Sequence, residues 1–395
     1  MKTLTNSYDV AIAGAGPAGT SLAIRLANAG LSILLIEQKA FPREKLCGEF
    51  ISPECLIHFE ELGVMDDIID AGGKKLNETI FFGRNGRSVS VNSKWFGDFG
   101  SSALGLSRAQ MDTKLLSRAE QSGVSILTET NVTGLIIENE RVVGLKLHEK
   151  NQAEQTISAK LCVDATGRTR SLARRLDKSN APKKPADLVA FKTHLHGVNL
   201  TPEACEIYVY KGGYGGCNRV EDDLYNLCFI TNAKDAKRLS SDPERVMREI
   251  VFSNRRANLA MLDATVAKPW LAVPIERFGR GQLVCAEGLI TVGDAASFID
   301  PFTGSGMLLA LESGKIAGFS IARAFQNGFG FATLAADYKR NYSAAFDRRL
   351  RACSILRHAA FSPILAETTI AFLRLNKNLR RRVARSTRFN PGSVT

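Results

Sequence analysis

The stretch Tyr8–Glu37, YDVAIAGAGPAGTSLAIRLANAGLSILLIE, constrains this chain more than any other. A short apolar strand runs into Gly14, Gly16 and Gly19 in G-x-G-x-x-G spacing; a helix-period segment follows, and a second apolar strand closes on Glu37. That order is a βαβ unit suited to a dinucleotide. Gly14 permits the tight turn, Gly16 lets backbone approach a pyrophosphate with Ala15, Pro17 and Ala18 around it, and Gly19 lets the helix pack on the strand. The helix start offers free N–H groups and a positive dipole end to phosphate. Glu37, 18 residues past Gly19 and followed by Gln38, is placed to bond ribose hydroxyls, and its charge disfavours a 2′-phosphate.

A chain of 395 residues exceeds what one core usually fills, so two domains are expected. Eight cysteines include no C-x-x-C pair, which argues against zinc and against a disulfide framework and favours reduced thiols in the cytoplasm. Met1–Ser7 is polar and leaves no room for a signal peptide, and no apolar run is long enough to span a bilayer. The net charge of +12 is uneven. From Lys339 to Arg388 there are 13 Lys/Arg against Asp347 and Glu367, so +11 of it falls in the tail.

After Glu37 the text is irregular, with Pro53 opening a short helix that ends near Gly63. Strands are expected at Thr79–Phe82 and Arg87–Val91, and a helix from Arg108 to Gln121 with Ser107 as N-cap and Gly123 after its end. Val124–Thr128, Val132–Glu138, Val142–Glu149 and Thr156–Val163 read as β. Between Ala181 and Gly288 longer strands (Leu188–Leu195, Glu206–Tyr210, Leu224–Ile230, Trp270–Pro274) are broken by one helix near Pro243–Asn254, the pattern of an antiparallel substrate domain. Two further stretches stand out: LCVDATGRTRSLARR, a strand ending in Asp164 and turning through Gly167, and LITVGDAASFIDPFTGSGMLLA, a strand, Gly293-Asp294, a Pro301-Phe302 turn and a glycine-flanked entry into a long helix.

Together GAGPAG with Glu37, DATGRTRS and GDAASFIDPFTGSGM resemble the dinucleotide, DG and GD motifs of the para-hydroxybenzoate-hydroxylase-like FAD enzymes. FPREKLCGEFISP resembles the P-x-K-x-C-G segment of the geranylgeranyl-reductase branch, close to the flavin halogenases. The resemblance implies an α/β fold: an FAD-binding Rossmann-like domain (residues 1–180, returning at 287–330), an inserted antiparallel β-sheet substrate domain (181–286) and a basic helical C-terminal region (331–395). It implies FAD as cofactor and NAD(P)H as a transient reductant, since there is no second G-x-G-x-x-G.

The same resemblance places Asp294, after Gly293, on the ribitol chain, or else as a cap of its turn. It aims the backbone N–H groups of Gly304, Ser305, Gly306 and Met307 at the pyrimidine edge, where the helix dipole favours negative charge. Val132 would meet the adenine through its backbone. Arg108 reads as a cofactor contact or as a solvated first-turn residue, and Asp164 as a cofactor-side acid or the anchor of an Asx-turn. Cys47, with Gly48 after it and Arg43 and Lys45 nearby, reads as a thiol over the flavin or as a packing residue.

The branch-typical Y-x-W-x-F-P motif is missing; Tyr214 is kept but Gly215, Gly216 and Cys217 follow. The implied activity is therefore an NAD(P)H-dependent monooxygenase on a hydrophobic aromatic, polyketide or lipid-like molecule. Alternatives are a geranylgeranyl-reductase-like C=C reductase, a halogenase, or an FAD-binding scaffold at the membrane. The tail, in which Phe346, Leu350, Leu365, Phe372 and Leu373 alternate with arginines, reads as a solvated helix pair or as a contact with anionic membrane on the inner face. Nucleic acid is disfavoured, because no binding motif accompanies the charge.

Overall fold

The computed structural model describes residues 7–96, 101–150, 152–176, 186–275, 278–300, 302, 304–361 and 363–386. Met1–Asn6, Ala181, Pro301, Thr387 and Arg388, which figure in the sequence reading, lie outside them. The cofactor sheet runs in the order Val284–Ala286, Leu289–Thr291, Gln155–Asp164, Ser7–Ala13, Ile33–Ile36, Ser125–Leu127. Its pairings are parallel from Leu289–Thr291 through Ser125–Leu127. The antiparallel hairpin Thr130–Glu138/Arg141–Glu149 attaches to Gln155–Asp164. Because helices cover a parallel sheet, its strands read as continuous apolar runs, and Ile33–Ile36 is buried at every position.

The Pro17–Asn28 and Gly306–Gln326 helices lie against each other. At Gly314 a Cβ would stand 2.9 Å from the Ala18 carbonyl, so bare backbone sets how closely they approach. The long Phe331–Phe361 helix packs on them through Tyr338, Tyr342 and Phe346, all fully buried, each worth about 1.5–3 kcal/mol of apolar transfer. Tyr338 Oη donates to the Thr291 carbonyl at 2.7 Å, fixing this helix to the last strand of the sheet.

The second sheet runs Thr265–Val266, Leu188–His196, Tyr225–Asn232, Gly213–Arg219, Ala204–Tyr210, Glu78–Phe82, Ser88–Asn92, with Leu271–Ile275 also on Leu188–His196. It is antiparallel except where Ala204–Tyr208 runs parallel to Glu78–Phe82. The hairpin 78–92 from the first third of the chain thus completes the sheet built by residues 188–275.

The Arg108–Gln121 helix has its expected bounds, and Ser107 Oγ accepts from Gln110 N as an N-cap. The Gly213–Arg219 strand was not expected, since glycine is depleted in strands. Here it is central and flanked closely on both sides, and a Cβ at Gly213 would meet the Ile230 carbonyl at 2.0 Å. The single helix expected near 243–254 is instead three, Ala233–Arg238, Pro243–Glu249 and Arg255–Ala260, the last two capped by Asp242 and Asn254.

Asn254 also joins the parts of the second sheet. Its buried Nδ2 donates to the carbonyls of Phe82, Gly83 and Val209 at 3.0–3.1 Å. Asn254→Ala is expected to destabilise the protein by about 2 kcal/mol or more, because buried carbonyls and a cap lose their partner together. A thermal melt of the variant within 1 °C of the native protein would show that this joint carries no such weight.

Candidate active site

One continuous cleft runs between the two sheets. Its first half is backbone. Gly14 has φ +106°, donates its N–H to Ile36 O at 2.7 Å, and leaves no room for a side chain, since a Cβ would stand 2.4 Å from Ala165 O. A Cβ at Gly19 would stand 2.0 Å from Gly14 O, so this glycine serves helix-on-strand packing and does not line the cleft. Gly16 differs: the nearest atoms to a Cβ there are the guanidiniums of Arg108 and Arg43, at 3.8 and 3.9 Å. Gly16 therefore opens a floor beside two cations at a helix N-terminus, the donor set a pyrophosphate needs.

Pro17 and Ala18 continue that wall, and Ala15, itself buried behind it, donates its N–H to Glu37 Oε2 at 3.1 Å. Glu37 also accepts from Lys39 N and Arg43 Nη2, which aims the carboxylate at the strand end with Gln38 beside it on the cleft. Val132 lines the far end, its carbonyl accepting from Arg175 at 3.1 Å.

Next to Ala18, which a Cβ at Gly293 would meet at 2.8 Å, the lining continues through Gly293, Asp294, Gly304, Gly306 and Met307, with Ser305 buried just behind as the residue before the Gly306–Gln326 helix. The first-turn N–H groups of that helix have no intrahelical partner. Among the described residues the Asp294 carboxyl makes no hydrogen bond. Burial pushes its pKa above the usual carboxylate range, against the pull of Arg168, Arg108 and Lys45. Such an acceptor fits a polyhydroxyl chain, and these walls together fit an adenine dinucleotide with a ring system at the Gly304–Met307 end.

Asp164 departs from the cofactor-side reading. It is fully buried, off the cleft, and its two carboxylate oxygens accept from Thr166 N and Oγ1 and from Leu172 N and Ala173 N at 2.6–3.0 Å. It builds the 164–173 turn as an Asx-type anchor, and its acceptors are consumed there.

Cys47 and Gly48 lie where the two halves of the cleft meet. Cys47 Sγ accepts from Glu49 N at 3.4 Å and stands beside the Arg108 guanidinium. Arg108 is no solvated side chain: it is buried and bidentate to Asp112, at 2.8 and 2.7 Å, and Asp112 also takes Arg43 at 3.1 Å. Burial alone would lower the Arg108 pKa, but Asp112 holds it charged. The i,i+4 spacing of Arg108 and Asp112 is a sequence signal for this pair.

The sequence reading missed a buried ion network under Cys47. Glu49, fully buried at φ +51°, accepts from Lys192 Nζ at 2.6 Å and Arg108 N at 2.9 Å and shares a 2.7 Å bond with His194 Nε2. Lys192 continues to Glu44 at 2.9 Å, and Glu44 to the half-exposed Lys268 at 2.8 Å. Glu44, Glu49 and His194 converge as metal ligands would, but the Lys192 ammonium already bridges the two carboxylates and is the cation of the cluster. Burial would strip its proton, yet Glu49 and Glu44 hold its pKa up.

The second half of the cleft is apolar, with Phe50, Phe81, Phe96, Ile207 and Ile230 on its walls. Tyr214 hydrogen-bonds Asp300 and meets Phe302 edge-on at 5.0 Å, so Phe302 is a wall residue. Gly216 lies on the same wall between Tyr214 and Asn218, where a Cβ would stand 3.0 Å from Ile207 Cδ1, so Ile207 packs over it.

Two predictions follow from this charge layout. Burial opposes ionisation of Glu44, but Lys192 and Lys268 pull its pKa down to about 2. A depressed folded-state pKa gives stability that is present above the unfolded value of 4.5 and lost as pH falls towards 2. Glu44→Gln is thus expected to melt lower at pH 7, with the gap to the native protein closing over that acid range; a gap independent of pH would exclude the ionic origin. Asp294→Ala is expected to stay folded while its Kd for FAD rises ~10-fold or more, the loss of one charge-assisted hydrogen bond. Full occupancy at low added FAD, followed by flavin absorbance, would contradict that contact.

Comparison with known proteins agrees with this geometry. A digeranylgeranylglycerophospholipid reductase of Methanosarcina acetivorans is 28% identical over 327 residues, 81% of this chain and 76% of that protein. A tryptophan 2-halogenase of Chondromyces crocatus is 23% identical, over 87% of this chain and 67% of the relative. Among solved structures, a flavin-dependent brominase superposes with TM-score 0.79 at 22% identity, covering 98% of this chain and 96% of its own. A geranylgeranyl bacteriochlorophyll reductase-like protein from Thermoplasma acidophilum gives 0.76 at 20% identity, covering 98% and 94%. The family model described as FAD binding domain matches residues 7–344, and with the open glycine floor, the Glu37 carboxylate at the strand end and the Asp294 wall in place, the chain belongs to that family of FAD-dependent oxidoreductases.

Proposed function

We propose that the chain reduces C=C bonds of a polyprenyl or lipid-like substrate, with FAD resident in the cleft and NAD(P)H as a visiting reductant. One observation carries the reading: Cys47, a thiol backed by the buried Arg108 guanidinium, stands at the joint between the cofactor walls and the apolar walls. The similar digeranylgeranylglycerophospholipid reductases of Methanosarcina acetivorans and Methanocella arvoryzae support it.

FAD, which the Gly304–Met307 wall would hold, would supply hydride chemistry, and saturating a C=C bond also requires one proton on the neighbouring carbon. On this reading Cys47, which lines the cleft, is the proton donor. The thiolate left behind has Arg108 as its counter-charge and the Glu49 N–H as a hydrogen-bond donor, and it regains its proton from solvent. Phe50, Phe81 and Phe96 exclude water from the isoprenoid.

A second reading, hydroxylation of an aromatic or polyketide substrate, draws on the bare Gly215–Gly216–Cys217 stretch where the reductase-type aromatic motif is missing. Oxygen separates the two. With dithionite-reduced protein under anaerobic conditions and a geranylgeranyl-bearing lipid, the reductase reading expects product heavier by two hydrogens per double bond; turnover that requires oxygen and adds it to product would favour hydroxylation. In the same assay Cys47→Ser is expected to keep its FAD and lose ~100-fold or more in saturation rate, the scale of one general-acid contribution. Unchanged kinetics would return Cys47 to a packing role.

A further inference from the structure

The basic tail does not present its charge evenly. On the Phe331–Phe361 helix, Arg349 is buried, Arg340 pairs with Asp337 at 2.7 Å, and Asp347 is taken by Arg280. Beyond Glu367 the charge becomes one-sided: Arg374, Lys377, Arg380, Arg381, Arg382 and Arg385 follow with no acidic residue between them. Glu367 itself lies against the 83–85 turn and accepts from Asn85 N at 3.3 Å.

The Pro363–Leu375 helix carries exposed apolar residues beside that run. Leu365, Phe372 and Leu375 are 52%, 63% and 86% exposed. Seven and ten positions apart, they fall within roughly a quarter of the helix circumference. Ala366 and Ile370 bury the other face, which packs on the Ser88–Asn92 strand. The Lys377–Ser386 helix continues with Arg381 and Arg382 exposed.

We propose that these two helices are a docking surface for an anionic lipid bilayer, Phe372 and Leu375 entering the acyl boundary while the arginines meet the headgroups. The combination decides the partner. Exposed arginines alone fit any polyanion, but large apolar side chains on the same surface gain only where hydrocarbon is available.

The location connects docking to the cleft. Arg380 donates to the Ser90 carbonyl at 3.3 Å and lies 5.9 Å above the Trp95 ring. Ala384 shares a packed cluster with Phe50 and Phe96, which are cleft walls. One layer of side chains therefore separates the lipid-facing helices from the apolar half of the cleft, and the bilayer is the source of the substrate. That delivery role rests on the lipid-reductase reading; the docking does not.

The test is sedimentation of the full chain with sucrose-loaded vesicles at low salt. Phosphatidylglycerol-containing vesicles are expected to carry down most of the protein and pure phosphatidylcholine little, with the difference lost at high salt as the Debye length shrinks. Arg381→Gln/Arg382→Gln is expected to reduce binding to anionic vesicles several-fold, and Phe372→Ser/Leu375→Ser to do so at any salt, with native flavin absorbance in both. Equal weak binding to both vesicle types would overturn the proposal, as would full binding by the Phe372→Ser/Leu375→Ser variant or competition by random-sequence nucleic acid that the apolar substitutions leave unchanged. Both variants are expected to turn over detergent-dispersed lipid at the native rate. Failure of the native protein in that micellar assay would sink the reductase reading and leave docking standing.

Discussion

The Glu49 carboxylate is the contact on which the site depends. It belongs to the loop that brings Cys47 to the cleft, yet its partners come from elsewhere: the Arg108 N–H at the start of a cofactor-domain helix, and Lys192 and His194 on a strand of the second sheet. A fully buried charge is costly unless paired and hydrogen-bonded, so these partners can be exchanged for nothing weaker. The same residue sits at positive φ, a conformation that surrounding contacts must hold for a side chain larger than glycine. Its carbonyl is held too, by Leu106 N and Asn218 Nδ2 at 3.3 and 3.4 Å. Removing Lys192 would leave the buried Glu49 charge without its ammonium partner beneath Cys47.

The two halves of the cleft are specified in different currencies. The cofactor half is mostly main chain: Gly14 and Gly19, which leave no room for a side chain, helix starts, and an acid held by an N–H group. The substrate half is side chains standing on a sheet, Phe50, Phe81, Ile207 and Tyr214 among them, any of which can change size without disturbing a hydrogen-bond ladder. That division suits a family whose members include reductases and halogenases on one scaffold.

Much of this was legible in the sequence because it is local. G-x-G-x-x-G, the strand acids and the capped Arg108–Gln121 helix are each written within about thirty residues, and the structure keeps their order and their place at strand ends and helix starts. The Asp164 role was legible in kind but not in outcome, because whether an Asx-turn consumes all its acceptors depends on where the Leu172 and Ala173 N–H groups arrive. The Glu49 network was not legible. Its members lie more than 140 residues apart, and Lys192 and His194 on an alternating strand read as an ordinary solvent-facing pair until the loop carrying Glu49 covers them. Gly213–Arg219 was hidden for the opposite reason: its glycines argue against a strand locally, and only the close neighbours on either side show why larger residues do not fit.

The hairpin 78–92 has a bearing on how the molecule is made. Its first strand finds its partner at Ala204–Tyr208, over 120 residues later, through the sheet's parallel seam. During synthesis from the N-terminus that edge stays unpaired while the intervening chain emerges, and the cofactor sheet likewise waits for Leu289–Thr291 to lie beside Gln155–Asp164. Neither layer can close before most of the other exists, so the two assemble interdependently rather than as independent units. A ribosome pausing before residue 204 would hold an exposed β edge in the open, a state that chaperones exist to cover.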